Sequence, residues 1–183
     1  MNPVLRNRRQ LYLLIVLFFL PVAVAFYLYY GSAWRPVGLT NHGELLAPVK
    51  PLPGDVPALH GAWSLVYVGN GRCDADCRNA LVFARQTRLS LNQDMKRVER
   101  VFLVTGDCCD RPYLQTEQLG LKVVEVPDAA GAPLLAAFPR ADQAHALFVV
   151  DPLGNLVLRY DVRENPKGLL SDLQKLLKLS HIG

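Results

Sequence analysis

Four stretches of the chain alternate or run apolar with the short period of strands, and three repeat with the longer period of helices. WSLVYVG, RVFLVTG and LKVVEV are β-branched and aromatic runs of strand length. HALFVVDPLGNLVLRYD holds two apolar runs joined through Asp151-Pro152-Leu153-Gly154-Asn155, which predicts a hairpin. Between the first two strands, Asp74 to about Leu91 carries Ala80, Leu81, Ala84 and Leu91 at helical spacing. Arg111 to Leu119 predicts a short helix closed by Gly120. Pro166 to Leu179 predicts a terminal amphipathic helix, started by its proline, with Leu169, Leu170, Leu173, Leu176 and Leu177 on the apolar side. Pro127 to Arg140, rich in Ala and Pro, predicts a loop with one turn of helix. The order β-α-β-α-β, then a hairpin, then a helix is the α/β thioredoxin-like arrangement.

The first thirty residues follow another pattern. Leu11–Tyr30 is twenty residues without a charge, enough for a helix to cross a hydrocarbon layer about 30 Å thick. Arg6, Arg8 and Arg9 precede it with no acid, which favours a cytoplasmic amino terminus. Ala23-Val24-Ala25 resembles a signal-peptidase site, but the apolar run continues past it, so an uncleaved anchor is expected. Either way the rest of the chain is exported. The expected organisation is residues 1–10 as a cytoplasmic tail, 11–30 as a transmembrane helix, 31–60 as linker and entry segment, and 61–183 as the thioredoxin-like domain. Five prolines and four glycines in 31–60 support the linker.

Charge adds little beyond this. Of twenty Lys and Arg, three precede the span, leaving seventeen against sixteen acids in the exported part. The net charge of +4 is therefore mostly an orientation signal. No basic cluster interleaved with aromatics points to nucleic acid.

The candidate chemistry is GNGRCDADCRNAL, where Cys73 and Cys77 stand four apart between the first strand and the first helix. Residues four apart on a helix face the same way, about 6 Å apart at Cβ. Such a pair can form a disulfide, act as a redox couple, or grip a soft metal ion. A helix N-terminus favours thiolate over thiol. Two sulfurs do not complete a zinc site, and His145, opening the hairpin strand, is the best third ligand. Cys108 and Cys109, in TGDCCDRP, are expected at the same sheet edge, either exchanging with the first pair, adding ligands, or standing apart. In redox chemistry Cys73, the more exposed by position, would attack and Cys77 would resolve. His42 and His60, in the entry segment, read as solvated.

These residues resemble a family. LHGAWSLVYVGNGRCDADC resembles the segment of Sco/SenC proteins in which a G-K-W-x-L-V-Y-F-G strand leads into C-x-x-x-C, and DPLGNLVLRYD resembles their late hairpin. The chain looks like a divergent bacterial member associated with cytochrome oxidase. The resemblance implies a bacterial inner-membrane protein with a periplasmic domain. It implies a copper cofactor, as Cu(I) or Cu(II), and delivery of that copper to the dinuclear centre of cytochrome c oxidase subunit II. The implied partners are that subunit or other oxidase assembly factors. It also admits thiol-disulfide oxidoreductase activity on subunit II, and a non-catalytic assembly protein with a structural disulfide remains open. The family cysteines map onto Cys73 and Cys77, and the family histidine has its nearest counterpart in His145, two residues nearer the hairpin turn. Where the family has proline beside its cysteines, Asp74 and Arg78 follow them here. No proline immediately precedes HALFVV, which favours the Sco-like branch over an ordinary thioredoxin.

Overall fold

A computed structural model describes residues 3–31, 40–106, 109–126, 131–180 and 182–183. The chain divides into two units, Met1–Thr40 and Asn41–Gly183. In the first, α1 (Pro3–Gly31) includes a stretch of 24 residues, Arg8–Gly31, whose most apolar 18-residue window has mean hydropathy 2.6 and is unburied. At 1.5 Å per residue that stretch is about 36 Å long, enough to cross a hydrocarbon layer.

The second unit is a six-stranded sheet in the order β1-β6-β5-β2-β3-β4. Its elements are β1 (Glu44–Pro51), β2 (Trp63–Asn70), α2 (Ala75–Ser90), β3 (Val98–Thr105), α3 (Arg111–Glu117), β4 (Leu121–Glu125), α4 (Ala132–Ala137), β5 (Ala146–Val150), β6 (Asn155–Asp161) and α5 (Pro166–Leu179). The strands β2, β3 and β4 run parallel, while β5, β6 and β1 are antiparallel to their neighbours. This is the expected thioredoxin-like order with one strand added.

The alternation of side chains along β2 divides the core into two layers. Trp63, Leu65 and Tyr67 face one side with Ala80, Leu81 and Ala84 of α2, Leu114 of α3, and Leu169, Leu173 and Leu177 of α5. Val66 and Val68 face the other, with Phe148, Leu134 of α4 and Phe138. The hairpin turn is fixed by Asp151, whose Oδ1 accepts from the amides of Leu153 (2.9 Å) and Asn155 (2.8 Å). Gly154 there adopts φ +83°, which a β-carbon disfavours.

The entry to the domain differs from the expected organisation, and the stretch 127–140 agrees with it where described. The segment 31–60, read as linker and entry, contains β1, paired antiparallel with β6. The compact unit accordingly starts at Asn41 rather than at residue 61. Of the stretch 127–140, Ala132–Ala137 forms the expected helical turn, and residues 127–130 lie outside the described set.

Candidate functional site

The parallel pairing of β2 with β3 ends at Asn70 opposite Thr105, so the loops that follow both strands open on one edge of the sheet. The first carries the cysteine pair. Cys73 donates its amide to the Asn70 carbonyl at 3.2 Å, and Asn70 Oδ1 accepts from the amide of Arg72 at 2.9 Å. Asp74 then caps α2, its side chain accepting from the amide of Cys77 at 3.0 Å. Such a cap contributes about 1 kcal/mol.

Cys73 and Cys77 form a disulfide with their Cα atoms 5.0 Å apart. The pair does not sit on one helical face. Cys77 lies in the first turn of α2, whereas Cys73 precedes the cap in a left-handed conformation, φ 46°. The two side chains thus meet across the start of the helix. Cys73 is also no more exposed than Cys77, since each is 2% exposed and belongs to the core layer under α2. Both nevertheless line a cavity of about 680 Å³, with Tyr67, Gly69, Arg72 and Thr105 among its walls, and Gln143 and Ala144 opposite. Access to the sulfurs is through that cavity.

Tyr67 forms part of its wall. The phenol donates to the Ala144 carbonyl at 3.3 Å. Its pKa is pushed up to about 12, first by burial and then by the charges of Asp74 and Asp76. It is therefore a neutral donor at physiological pH, neither a base nor an anionic ligand. Gly69 makes room for it: a β-carbon there would stand 2.8 Å from the Tyr67 ring. A folded pKa above the unfolded value of about 10 stabilises the domain fully below pH 10. That contribution disappears as pH rises to about 12. Absorbance at 295 nm should show Tyr67 among the last tyrosines to ionise. Tyr67→Phe should remove roughly 2 kcal/mol of the stability lost between pH 10 and 12.

His145 lies beside the first turn of α2. It ends a 3-10 turn, Gln143–His145, entered through Asp142 in a left-handed conformation, φ 52°. Its ring borders a second cavity of about 490 Å³ with Asp76, Asn79, Phe83 and Arg163, and without either cysteine. Its Nε2 is 3.9 Å from Asp76 Oδ2 and 3.9 Å from Asp142 Oδ1. The structure joins Cys73 to Cys77, and His145 lines a separate cavity. Among the described residues, no group of three or more His, Cys, Asp and Glu is arranged to hold a metal ion. What the site offers is two sulfurs, a donor set suited to a soft ion and short of a closed tetrahedral shell.

The second loop reaches the same edge, as expected. Asp110 donates its amide to the Gly71 carbonyl at 2.8 Å, and Cys109 packs partly buried against the core layer of the first pair. Cys109 is itself disulfide-bonded, while Cys108 lies outside the described residues, so exchange between the two pairs has no geometry to report. Arg78 joins the two loops. Its Nε donates to the Cys73 carbonyl at 3.2 Å and its Nη2 to Asp110 Oδ2 at 2.8 Å. Its guanidinium carbon also lies 4.8 Å from the centre of the Tyr113 ring. The sequence marks Arg78 only as the residue after Cys77 and gives Tyr67 no role. An arginine four residues into a helix gives no sign that it reaches back past the cap.

No curated protein matches the chain. Among solved structures, yeast Sco1 is similar at 16% identity and a TM-score of 0.58, over 78% of this chain and 98% of that one. Bradyrhizobium japonicum ScoI with copper bound is similar at 17% identity and a TM-score of 0.52, over 73% of this chain and 98% of that one. Arabidopsis thaliana ScoI with copper bound is similar at 16% identity and a TM-score of 0.52, over 75% and 99%. At such identities the likeness is one of fold. The family described as the transmembrane-like, thioredoxin-like, C-terminal domain matches residues 63–180, the whole span from β2 through α5. The chain therefore belongs to the transmembrane-like, thioredoxin-like, C-terminal domain family.

Proposed function

We propose that the domain takes up one copper ion as cargo on the reduced Cys73–Cys77 pair and passes it to the copper centre of cytochrome c oxidase subunit II. The observation that carries this reading is the pair itself, two sulfurs side by side at a helix start and lining a cavity. Two thiolates fit a soft ion such as Cu(I), and an incomplete donor set suits cargo that must leave by ligand exchange. Copper was bound in the ScoI structures from Bradyrhizobium japonicum and Arabidopsis thaliana, whose fold this chain shares. An N-terminal anchor in the bacterial inner membrane would hold the periplasmic domain beside a membrane-bound target and raise their effective concentration.

The disulfide supports a second reading, a thiol-disulfide oxidoreductase acting on subunit II. Both sulfurs line the same cavity and are equally buried, so either is placed to attack. One experiment separates the readings. The full chain in detergent is reduced, titrated with Cu(I) against a competing chelator, and assayed separately for reduction of an oxidised subunit II peptide. Copper cargo requires one Cu(I) retained per chain; weaker retention in His145→Ala would add that ring as a third ligand, and unchanged retention would leave the two sulfurs as the donor set. Peptide reduction without copper retention establishes the oxidoreductase instead.

A further inference from the structure

We infer that Arg78 is the positioning residue of the cysteine pair, holding the Cys73 backbone in place so that the two sulfurs stay matched when their bond is open. The inference rests on the reading that the pair exists in both dithiol and disulfide forms.

The main chain of Arg78 closes the first turn of α2, donating to the Asp74 carbonyl at 3.0 Å. Its side chain reaches one residue further back, to the Cys73 carbonyl, which precedes the cap and has no helical donor of its own. Cys73 needs such a hold. Its φ of 46° is a conformation that a residue with a β-carbon avoids unless its surroundings impose it. In the disulfide form, the bond to Cys77 and the hydrogen bond from Cys73 N to Asn70 help to impose it. Reduction removes the first. Among the described residues, Arg78 supplies the one side-chain hydrogen bond to the Cys73 backbone.

The other end of the guanidinium is fixed as well. Asp110 accepts from it, caps α3 by accepting from the amide of Tyr113 at 3.3 Å, and donates its own amide to Gly71. The Tyr113 ring lies against the cation, and its hydroxyl accepts from Gln118 Nε2 at 2.9 Å. One planar cation thus ties Cys73 to a rigid neighbour across the sheet edge. The fork geometry matters, because an ammonium group cannot present two donors in one plane to a carbonyl and a carboxylate.

The test is the exchange of the dithiol with oxidised glutathione. The protein's S–S bond forms, the glutathione S–S bond breaks, and both protons and both electrons pass to two glutathione thiols. The full chain in detergent is equilibrated in glutathione buffers and the oxidised fraction is read by thiol trapping. In Arg78→Ala the equilibrium constant for disulfide formation should fall about tenfold, a potential about 30 mV less negative. Arg78→Lys should fall between Arg78→Ala and the wild type, and Asp110→Asn should shift in the same direction by less. Arg97→Ala is the structural control. Its guanidinium grips the carbonyls of Leu177, Ser180 and Gly183 at 2.9, 2.7 and 2.9 Å, away from the pair. It should lower the melting temperature and leave the equilibrium within about twofold of the wild type.

If Arg78→Ala does not fold, Arg78→Lys and Asp110→Asn carry the same reading. An unchanged equilibrium in folded Arg78 variants, or an equal shift in Arg97→Ala, overturns the inference. No metal enters this measurement, so a shift with Arg78→Ala together with no copper retention by the wild type would sink the cargo reading alone. A pair that cannot be reduced in the folded protein overturns both.

Discussion

Replacing Cys73 or Cys77 by serine should weaken Cu(I) retention by roughly 10²–10⁴-fold, the range by which a second attachment point strengthens the first. The hydroxyl is a hard, protonated donor that cannot replace a thiolate for a soft ion. The two variants should be equally affected, because both sulfurs line one cavity and are equally buried. Competition against a Cu(I) chelator reads the effect directly. The same variants remove a disulfide that closes a sequence separation of only four residues. Chain-entropy arithmetic for so short a loop gives about 2 kcal/mol of stability. Urea melts of oxidised wild type and variants measure that part separately. A purely structural bridge would show the loss of about 2 kcal/mol while the reduced wild type bound no copper. Copper cargo would show weaker retention even when every protein is compared in the reduced state, where the bridge contributes nothing.

The elements that could be read from sequence are those whose side chains are sorted by burial. The unbroken apolar runs of β2 and β3 reflect burial on both faces and the leucine spacing of α5 burial on one, and there the expected and observed boundaries agree closely. Strand β1 could not be found this way. ELLAPVKP is almost wholly exposed, contains two prolines, and breaks register between Leu45 and Lys50. An edge strand tolerates proline because one side of its backbone needs no partner. It is a strand because β6 and Asp172 hold it, and both lie more than a hundred residues away.

The site was legible to a similar depth. That Cys73 and Cys77 would meet at the junction of β2 and α2 followed from their spacing. That Cys73 would stand outside the helix in a left-handed conformation did not, since the four-residue separation also fits one helical face. His145 was read as opening the hairpin strand, but it ends a 3-10 turn, and the turn's left-handed entry at Asp142 leaves no trace in a hydrophobic pattern.

Asp172→Ala should cost the domain about 2–6 kcal/mol, the largest stability loss expected of a single polar replacement here. Asp172 is 4% exposed, on the apolar side of α5. Its Oδ2 accepts from the amides of His42 at 2.8 Å and Gly43 at 2.9 Å, and its Oδ1 pairs with His42 Nδ1 at 3.1 Å. The backbone of His42, solvated in the sequence reading, is thus pinned to the last helix. Removing the carboxylate strands two amides, that of Gly43 fully buried, and each stranded buried donor costs about 1–3 kcal/mol. The space at Gly43 is too tight for the backbone to escape, since a β-carbon there would meet Leu158 at 2.6 Å. Strand β1 begins at the next residue, so its pairing with β6 should loosen at the Glu44–Arg159 end first. Hydrogen exchange reads this as faster exchange of the His42 and Gly43 amides, with β2 and β3 unchanged. Asp172→Asn can keep its one oxygen for both amides and turn its NH2 toward His42 Nδ1. It should therefore recover most of the loss, whereas no recovery would show that the charge rather than the acceptor at this position secures the strand.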